Sequence, residues 1–280
     1  MARSRAPAGL ETATRAASFN VRYDDAMGSA EERRGHAREV AEALRRLDAD
    51  ILCLQEVISL RGRAVAEENF LRRFLEAELQ EWFGVFPDDG SRLSEAGPIF
   101  LRRRRYRVVE DGIFWFSDTP EVPDSVGWGN ELPRFCTWVL AEEASSGKRL
   151  LAANVHLDHR SGRSRLRAAR MLRSRLSRIS GEAPILLAGD FNAGRGSRVQ
   201  GELGKSYVRA LRSREATLTV PLPRQIDQIF VSPGVRVLQS FILKSEERQR
   251  RGRHADHRPC AADLVIPQRE KESSTDATQQ

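Results

Sequence analysis

Residues 184–192 read Pro-Ile-Leu-Leu-Ala-Gly-Asp-Phe-Asn, and this segment constrains the fold more than any other stretch of the chain. Four consecutive apolar residues, Ile185 to Ala188, stand between a proline and a glycine. A strand with one wet face alternates apolar and polar residues. An unbroken apolar run suits a strand covered on both faces, as in α/β proteins. The run ends in Gly189, Asp190 and Asn192, types that favour turns but also bring a carboxylate and an amide to the end of a strand.

Strand and helix patterns alternate around this segment. Strands are expected at 13–21, 51–54, 98–101, 107–116, 135–144, 150–156, 184–190, 226–231, 235–243 and 260–266. A turn at 145–148 containing Gly147 makes 135–144 and 150–156 a hairpin. Helices are expected at 32–47 (Val40, Leu44 and Leu47 on one face), 64–81 (Phe70, Phe74, Leu75, Leu79) and 163–179 (Leu166, Ala169, Leu172, Leu176, Ile179). No linker-like stretch or repeat divides the pattern. One α/β domain over 11–267 is therefore expected, with tails at 1–10 and 268–280.

Polar residues recur where these strands end. Asn20 closes the first, Glu56 follows the second, and Asn154, His156 and Asp158 mark the end of 150–156. Asp190 and Asn192 close 184–190, Asp227 opens the next strand, and Asp256 and His257 precede the last. Strand ends gather distant sequence positions into one crevice, where α/β proteins bind ligands. Singly, each residue is equally the mark of a cap, a turn or a structural histidine; their joint order carries the signal. Carboxylates and amides without cysteine clusters suit a hard ion, Mg²⁺ or Mn²⁺. The three cysteines, Cys53, Cys136 and Cys260, sit in apolar strands with no CxxC spacing, which fits free thiols in a reducing, cytoplasmic compartment. No apolar run approaches the roughly 20 residues of a membrane span. The first ten residues lack the apolar core of a secretory signal, so no membrane contact is expected.

The 280 residues include 46 Lys and Arg against 39 Asp and Glu, a net charge of +7. Only Lys148, Lys205, Lys244 and Lys271 are lysines; the rest of the excess is arginine, whose fork binds phosphate. An arginine-rich composition equally reflects codon usage and a solvated surface. The arginines at 160, 163, 165, 167, 170, 173, 175 and 178 point to several sides of a helix and read as such a surface. Arg248, Arg250, Arg251, Arg253 and Arg258 differ, because they flank Asp256 and His257, where a polyanion would be drawn. Trp138 reads as core. Trp128, in the loop Gly-Trp-Gly-Asn, reads either as a stacking wall for a base or ring or as a packing anchor. Arg134, close by in sequence, is a candidate phosphate contact.

Taken together, SFNVRYDD (18–25), DADILCLQEV (48–57), NVHLDH (154–159), LLAGDFNA (186–193), QIDQIFVS (225–232) and HADHRP (254–259) resemble, in order, the motifs of the endonuclease/exonuclease/phosphatase, or DNase I-like, superfamily. The segments 97–123 and 132–140 are most similar to a bacterial branch of its Ccr4/nocturnin-like group. The resemblance implies an α/β four-layer sandwich of two packed mixed β-sheets flanked by helices. It also implies metal-assisted hydrolysis of a phosphoester. By position, Glu56 would be the main Mg²⁺ ligand beside Asn20 and Asp256. Asp190 would orient or deprotonate water, and Asn192 would hold that water or a phosphate oxygen. His257, oriented by Asp227, would stabilise developing charge, with His156 opposite. Asn154, Asp158, Arg134, Trp128 and Arg253 are the candidate substrate contacts.

The expected enzyme is a monomeric phosphodiesterase or nuclease, with a 3′-5′ exonuclease-like mode as its narrower form, acting on nucleic acid or a nucleotide. The alternatives are a phosphatase or diesterase of a small metabolite or lipid head group, and a non-catalytic nucleic-acid-binding protein on the same fold.

Overall fold

Two six-stranded mixed sheets carry the computed structural model, which describes residues 13–22, 29–58, 70–86, 95–219, 223–244 and 256–267. In chain order the first half holds β1 (Thr14–Asn20), α1 (Ala30–Leu47), β2 (Ile51–Gln55), β3 (Val57–Ile58), α2 (Phe70–Glu78), β4 (Trp82–Val85), β5 (Glu95–Ala96) and β6 (Ile99–Arg102). The middle holds β7 (Tyr106–Trp115), β8 (Phe135–Glu143), β9 (Arg149–His156), α3 (Gly162–Ser180) and β10 (Ile185–Asp190). The last part holds α4 (Arg198–Leu203), β11 (Val208–Arg209), β12 (Asp227–Val231), β13 (Arg236–Ile242) and β14 (Cys260–Val265). The first sheet runs β13-β14-β1-β2-β6-β4 and the second β11-β12-β10-β9-β8-β7, with β3 and β5 as a separate ribbon.

The layers follow from side-chain alternation. Ala16, Ile51 and Cys53 of the first sheet meet Ala152, Leu186, Ala188, Ile229 and Val231 of the second in the central core. The alternate residues face outward: Ala17, Phe19, Leu52 and Leu54 under α1 and α2, and Ala153, Val155, Leu187 and Phe230 under α3 and α4. Each strand in the middle is thus covered on both faces, and all six residues of β10 are buried. The four-layer sandwich implied by the motifs is the observed fold.

Local signals fix the helices. Ser29 and Glu32 form a reciprocal capping box at the start of α1, and Asp48 ends it in the left-handed region (φ 45°). Ser161 caps α3 by accepting from the Ser164 N–H. The helix expected at 64–81 extends over 70–78, with 64–69 outside the described residues, and a strand, β4, follows it at once. That strand pairs with β6 and contains Gly84, where a Cβ would come within 2.5 Å of the Phe86 ring. Also beyond the sequence reading are the ribbon β3–β5, the six-residue α4 and the two-residue β11. The tails at 1–10 and 268–280 lie outside the described residues.

Candidate active site

Inward-facing columns of the two sheets are apolar at one end and turn polar at the other. β1 runs Ala16, Ser18, Asn20; β2 runs Ile51, Cys53, Gln55; β9 runs Ala152, Asn154, His156; β10 runs Leu186, Ala188, Asp190. β12 is antiparallel and begins with Asp227 at the same level. Register does the gathering: Asp190 pairs with His156 on one side and Asp227 on the other. Gly189 makes this possible, because a Cβ there would lie 2.0 Å from the Val155 carbonyl oxygen. The first sheet contributes Asn20 and, one residue past β2, Glu56. Asp256 and His257 precede β14.

Asp190 is the centre. Its Oδ2 lies 3.8 Å from both His156 Nε2 and His257 Nε2 and accepts from Asn20 Nδ2 at 3.2 Å. Its Oδ1 accepts from the Asn192 N–H at 2.8 Å. Asn20 Nδ2 also donates to Glu56 Oε1 at 2.7 Å, so one amide touches two carboxylates. Glu56 Oε1 is 4.0 Å from His156 Nε2. Asp256 faces Arg22 Nη1 at 3.4 Å. Arg22, Glu56 and Asn192, which follow β1, β2 and β10, all have positive φ (51°, 60° and 47°). A non-glycine residue there costs about 1–2 kcal/mol, and such strain gathers at functional sites.

Each histidine has its own carboxylate. Asp227 Oδ2 meets His257 Nδ1 at 2.9 Å. Burial opposes charge on this ring, but Asp227, Asp190 and Asp256 outweigh it and hold the pKa up at about 10. His156 Nδ1 meets Glu95 Oε1 at 2.6 Å. Burial again opposes charge, and Arg134 does too, yet Glu95 and Asp190 raise the His156 pKa on balance. For Glu95 itself burial pushes upward, but His156 and Arg134 bring the carboxyl down to about 2. Glu95 belongs to the site and was not found by sequence reasoning. Its two-residue strand has no periodicity, and only proximity to His156 exposes its role.

The donor set suits a hard divalent ion. Buried Oδ1 atoms of Asp227 and Asp256 have no hydrogen-bond partner, and Asn20 brings the Glu56 and Asp190 oxygens together. Among the described residues, the cluster of acidic, His or Cys ligand atoms compact enough for an ion is Asp190, Asp227 and His257, all within 4.8 Å. Much of that compactness is the Asp227–His257 hydrogen bond itself. A ring kept protonated is a poor ligand, so the oxygens of Glu56, Asp190, Asn20 and Asp256 fit better.

Some expected substrate contacts have other work. Asn154 is 1% exposed: its Oδ1 accepts from Gln55 Nε2 (2.6 Å) and its Nδ2 donates to Leu54 O (2.7 Å) and Pro98 O (3.1 Å). Its side chain is spent bridging the sheets, out of a substrate's reach. Asp158 is also buried and accepts from the N–H groups of Glu131, Arg160 and Ser161, which ties a loop to the start of α3. Those three bonds outweigh burial and lower its pKa. Trp128 donates from Nε1 to Asp118 (2.8 Å), has Arg167 over its ring and packs, partly buried, on the α3 core, contacts that fit the anchor reading. Trp138 is core, as expected. Arg134 is buried beside Glu95, its Nη1 3.2 Å from Oε2. Arg253 lies outside the described residues, as do Arg248, Arg250 and Arg251.

Comparison with known proteins agrees with the geometry. The profile of the Endonuclease/Exonuclease/phosphatase family matches residues 17–247. An endonuclease/exonuclease/phosphatase from Bacteroides vulgatus is 26% identical with a TM-score of 0.79, over 91% of this chain and all of its own. A mannosyl-6-phosphatase from Bacteroides thetaiotaomicron is 25% identical with a TM-score of 0.73, over 90% of this chain and all of its own. The human nocturnin catalytic domain, solved with bound sulfate, shares the fold at 18% identity and a TM-score of 0.69, over 91% and 94%. No functionally curated protein matches the sequence significantly. With its motifs ordered on one rim and the family profile covering most of its length, the chain belongs to the endonuclease/exonuclease/phosphatase family of phosphoester hydrolases.

Proposed function

We propose that this protein is a divalent-cation-dependent phosphoester hydrolase in which water attacks phosphorus at the Asp190 rim. The observation that carries the reading is the convergence on one carboxylate oxygen: two histidines 3.8 Å away and an amide at 3.2 Å. Glu56, Asn20 and Asp256 would hold Mg²⁺ or Mn²⁺. That ion supplies the positive charge a phosphoester needs before an anionic nucleophile can approach. Asp190, fixed by the Asn192 N–H, orients the water and takes its proton. His257, kept charged by Asp227, donates to a phosphate oxygen as charge builds on it. His156, set by Glu95, faces the phosphate from the other side. Asn192, one amide hydrogen on Leu157 O at 2.9 Å, has its other hydrogen for the water or a phosphate oxygen.

A small phosphomonoester is the favoured substrate, supported by the likeness to a mannosyl-6-phosphatase. A nucleic-acid diester is the second reading. It rests on Arg248–Arg253, beside the catalytic Asp256 and His257 in sequence. The test is turnover of p-nitrophenyl phosphate, its bis ester, sugar phosphates, DNA and RNA with Mg²⁺, Mn²⁺ or EDTA. Metal-dependent cleavage of at least one, abolished by Asp190→Asn, is expected. No turnover of any of them, or full activity in Asp190→Asn, would sink the proposal.

A further inference from the structure

Among the described residues, Arg165 is a cation near the rim with no carboxylate at ion-pair distance. On sequence it belongs to a solvated arginine face, and most of that face behaves as expected: Arg167, Arg170, Arg173 and Arg175 reach Asp118, Glu202, Glu202 and Glu121. Arg165 does not. Among the described residues no carboxylate lies within 4.0 Å of its guanidinium. Its side chain turns back at the start of α3, Nη1 donates to Asp158 O at 2.8 Å, and its buried Nε has no partner. Burial lowers its pKa against the pull of Asp158 and Asp190.

Its place relative to the attack site is fixed by two successive carbonyls. Asn192 Nδ2 donates to Leu157 O at 2.9 Å, and Arg165 takes the next carbonyl, that of Asp158. Leu157 N in turn donates to Asp190 O at 2.9 Å. The fork therefore holds the carbonyl next in sequence to the one Asn192 holds, near enough to Asp190 to feel its charge. A second guanidinium stands on this wall. The Arg134 side chain is 6% exposed, its Nη1 is on Glu95, and its Nε is buried without a partner. An unpaired charged donor is costly to bury; Arg134 has Glu95 as its counter-ion, whereas Arg165 has no carboxylate within 4.0 Å among the described residues and calls for an anion that arrives with the ligand.

We infer that Arg165, with Arg134 behind it, forms a phosphate-oxygen subsite that selects dianionic phosphomonoesters over monoanionic diesters. The inference rests on the hydrolase reading above and sharpens it. A monoester presents three terminal oxygens. His257 and His156 flank Asp190 and meet two of them, and Arg165 takes the third. In a diester that oxygen carries carbon, which would press an organic group onto a guanidinium and leave it without an acceptor.

The experiment compares kcat/KM for p-nitrophenyl phosphate and its bis ester, and inorganic phosphate binding by calorimetry in metal-free protein. The variants are Arg165→Ala, Arg165→Lys and the exposed Arg163→Ala. Arg165→Ala should lower monoester kcat/KM about 10²-fold and diester kcat/KM less than about fivefold, as expected for one charged donor. Phosphate affinity should fall about tenfold or more. Arg165→Lys should recover only part of either, because an ammonium lacks the fork, and Arg163→Ala should match wild type. Equal losses on both esters, or unchanged phosphate binding in an Arg165→Ala protein with wild-type melting temperature, would overturn the subsite. Should the alanine variant not fold, Arg165→Gln decides on the same terms. A wild type that turns over neither ester, nor any sugar phosphate, DNA or RNA, defeats the hydrolase reading instead, while phosphate calorimetry still reads the subsite.

Discussion

Two histidine–carboxylate pairs stand on either side of Asp190, and they are built differently. Asp227 is the first residue of β12, in register with Asp190, buried, and its backbone N–H is held by Thr217 Oγ1 at 3.1 Å. The pair it makes with His257 follows from sheet pairing. Glu95 belongs to a two-residue strand outside both sheets, its side chain 24% exposed, and it is shared between His156 and Arg134. One pair is therefore fixed by the core and the other by a peripheral ribbon. Two similar hydrogen bonds thus rest on unequal supports.

Breaking the core pair should cost most. His257→Ala, in turnover assays with saturating metal, should lose about 10³-fold in kcat, with Asp227→Asn close behind at about 10²-fold. Glu95→Gln should lose only about tenfold, because Asp190 still draws His156 into place. Losses of equal size at Asp227 and Glu95 would erase the distinction.

Acid and alkali should separate the pairs in stability. Glu95 has its pKa lowered from 4.5 to about 2, so its contribution is complete above about 4.5 and lost as pH falls towards 2. His257 has its pKa raised from 6.5 to about 10, so its contribution is complete below about 6.5 and lost as pH rises towards 10. In urea unfolding of metal-free protein, Glu95→Gln should flatten the acid limb and Asp227→Asn the alkaline one. A variant that flattened the opposite limb would contradict the assigned partners.

Between the pairs runs the bridge from Gln55 to Asn154. Asn154→Ala should destabilise the fold by about 2–3 kcal/mol in the same unfolding assay, since it orphans buried groups on both sheets. A substrate contact would instead raise KM and leave stability alone. The smallest effect is expected at Trp128→Phe, which keeps the packing and removes the bond to Asp118: less than about threefold in kcat/KM.

How much of this was legible follows the same line between core and periphery. The run Ile185–Ala188 announced a doubly covered strand, and Asp190, His156, Asp227 and His257 stood at strand ends where pairing brought them together. Glu95 was invisible because a two-residue strand has no period to read. Asn154 meets partners from the facing sheet, and nothing near it in sequence says whether an inward amide at a rim meets ligand or protein. Arg165 shares a composition with its helix neighbours, and what sets it apart is that no acid among the described residues lies at ion-pair distance from it. Contacts between layers are where one-dimensional reading ends.

The left-handed residues at the strand exits also have a consequence for anyone who would make this protein hardier. Arg22, Glu56 and Asn192 are places where glycine would relieve the backbone. Glu56→Gly would therefore compete well in a screen for thermostability while deleting the carboxylate that faces Asn20. On the metal-holding role proposed for Glu56, the sturdiest offspring of an unguided selection would lose turnover, so stability and turnover have to be selected together in this scaffold.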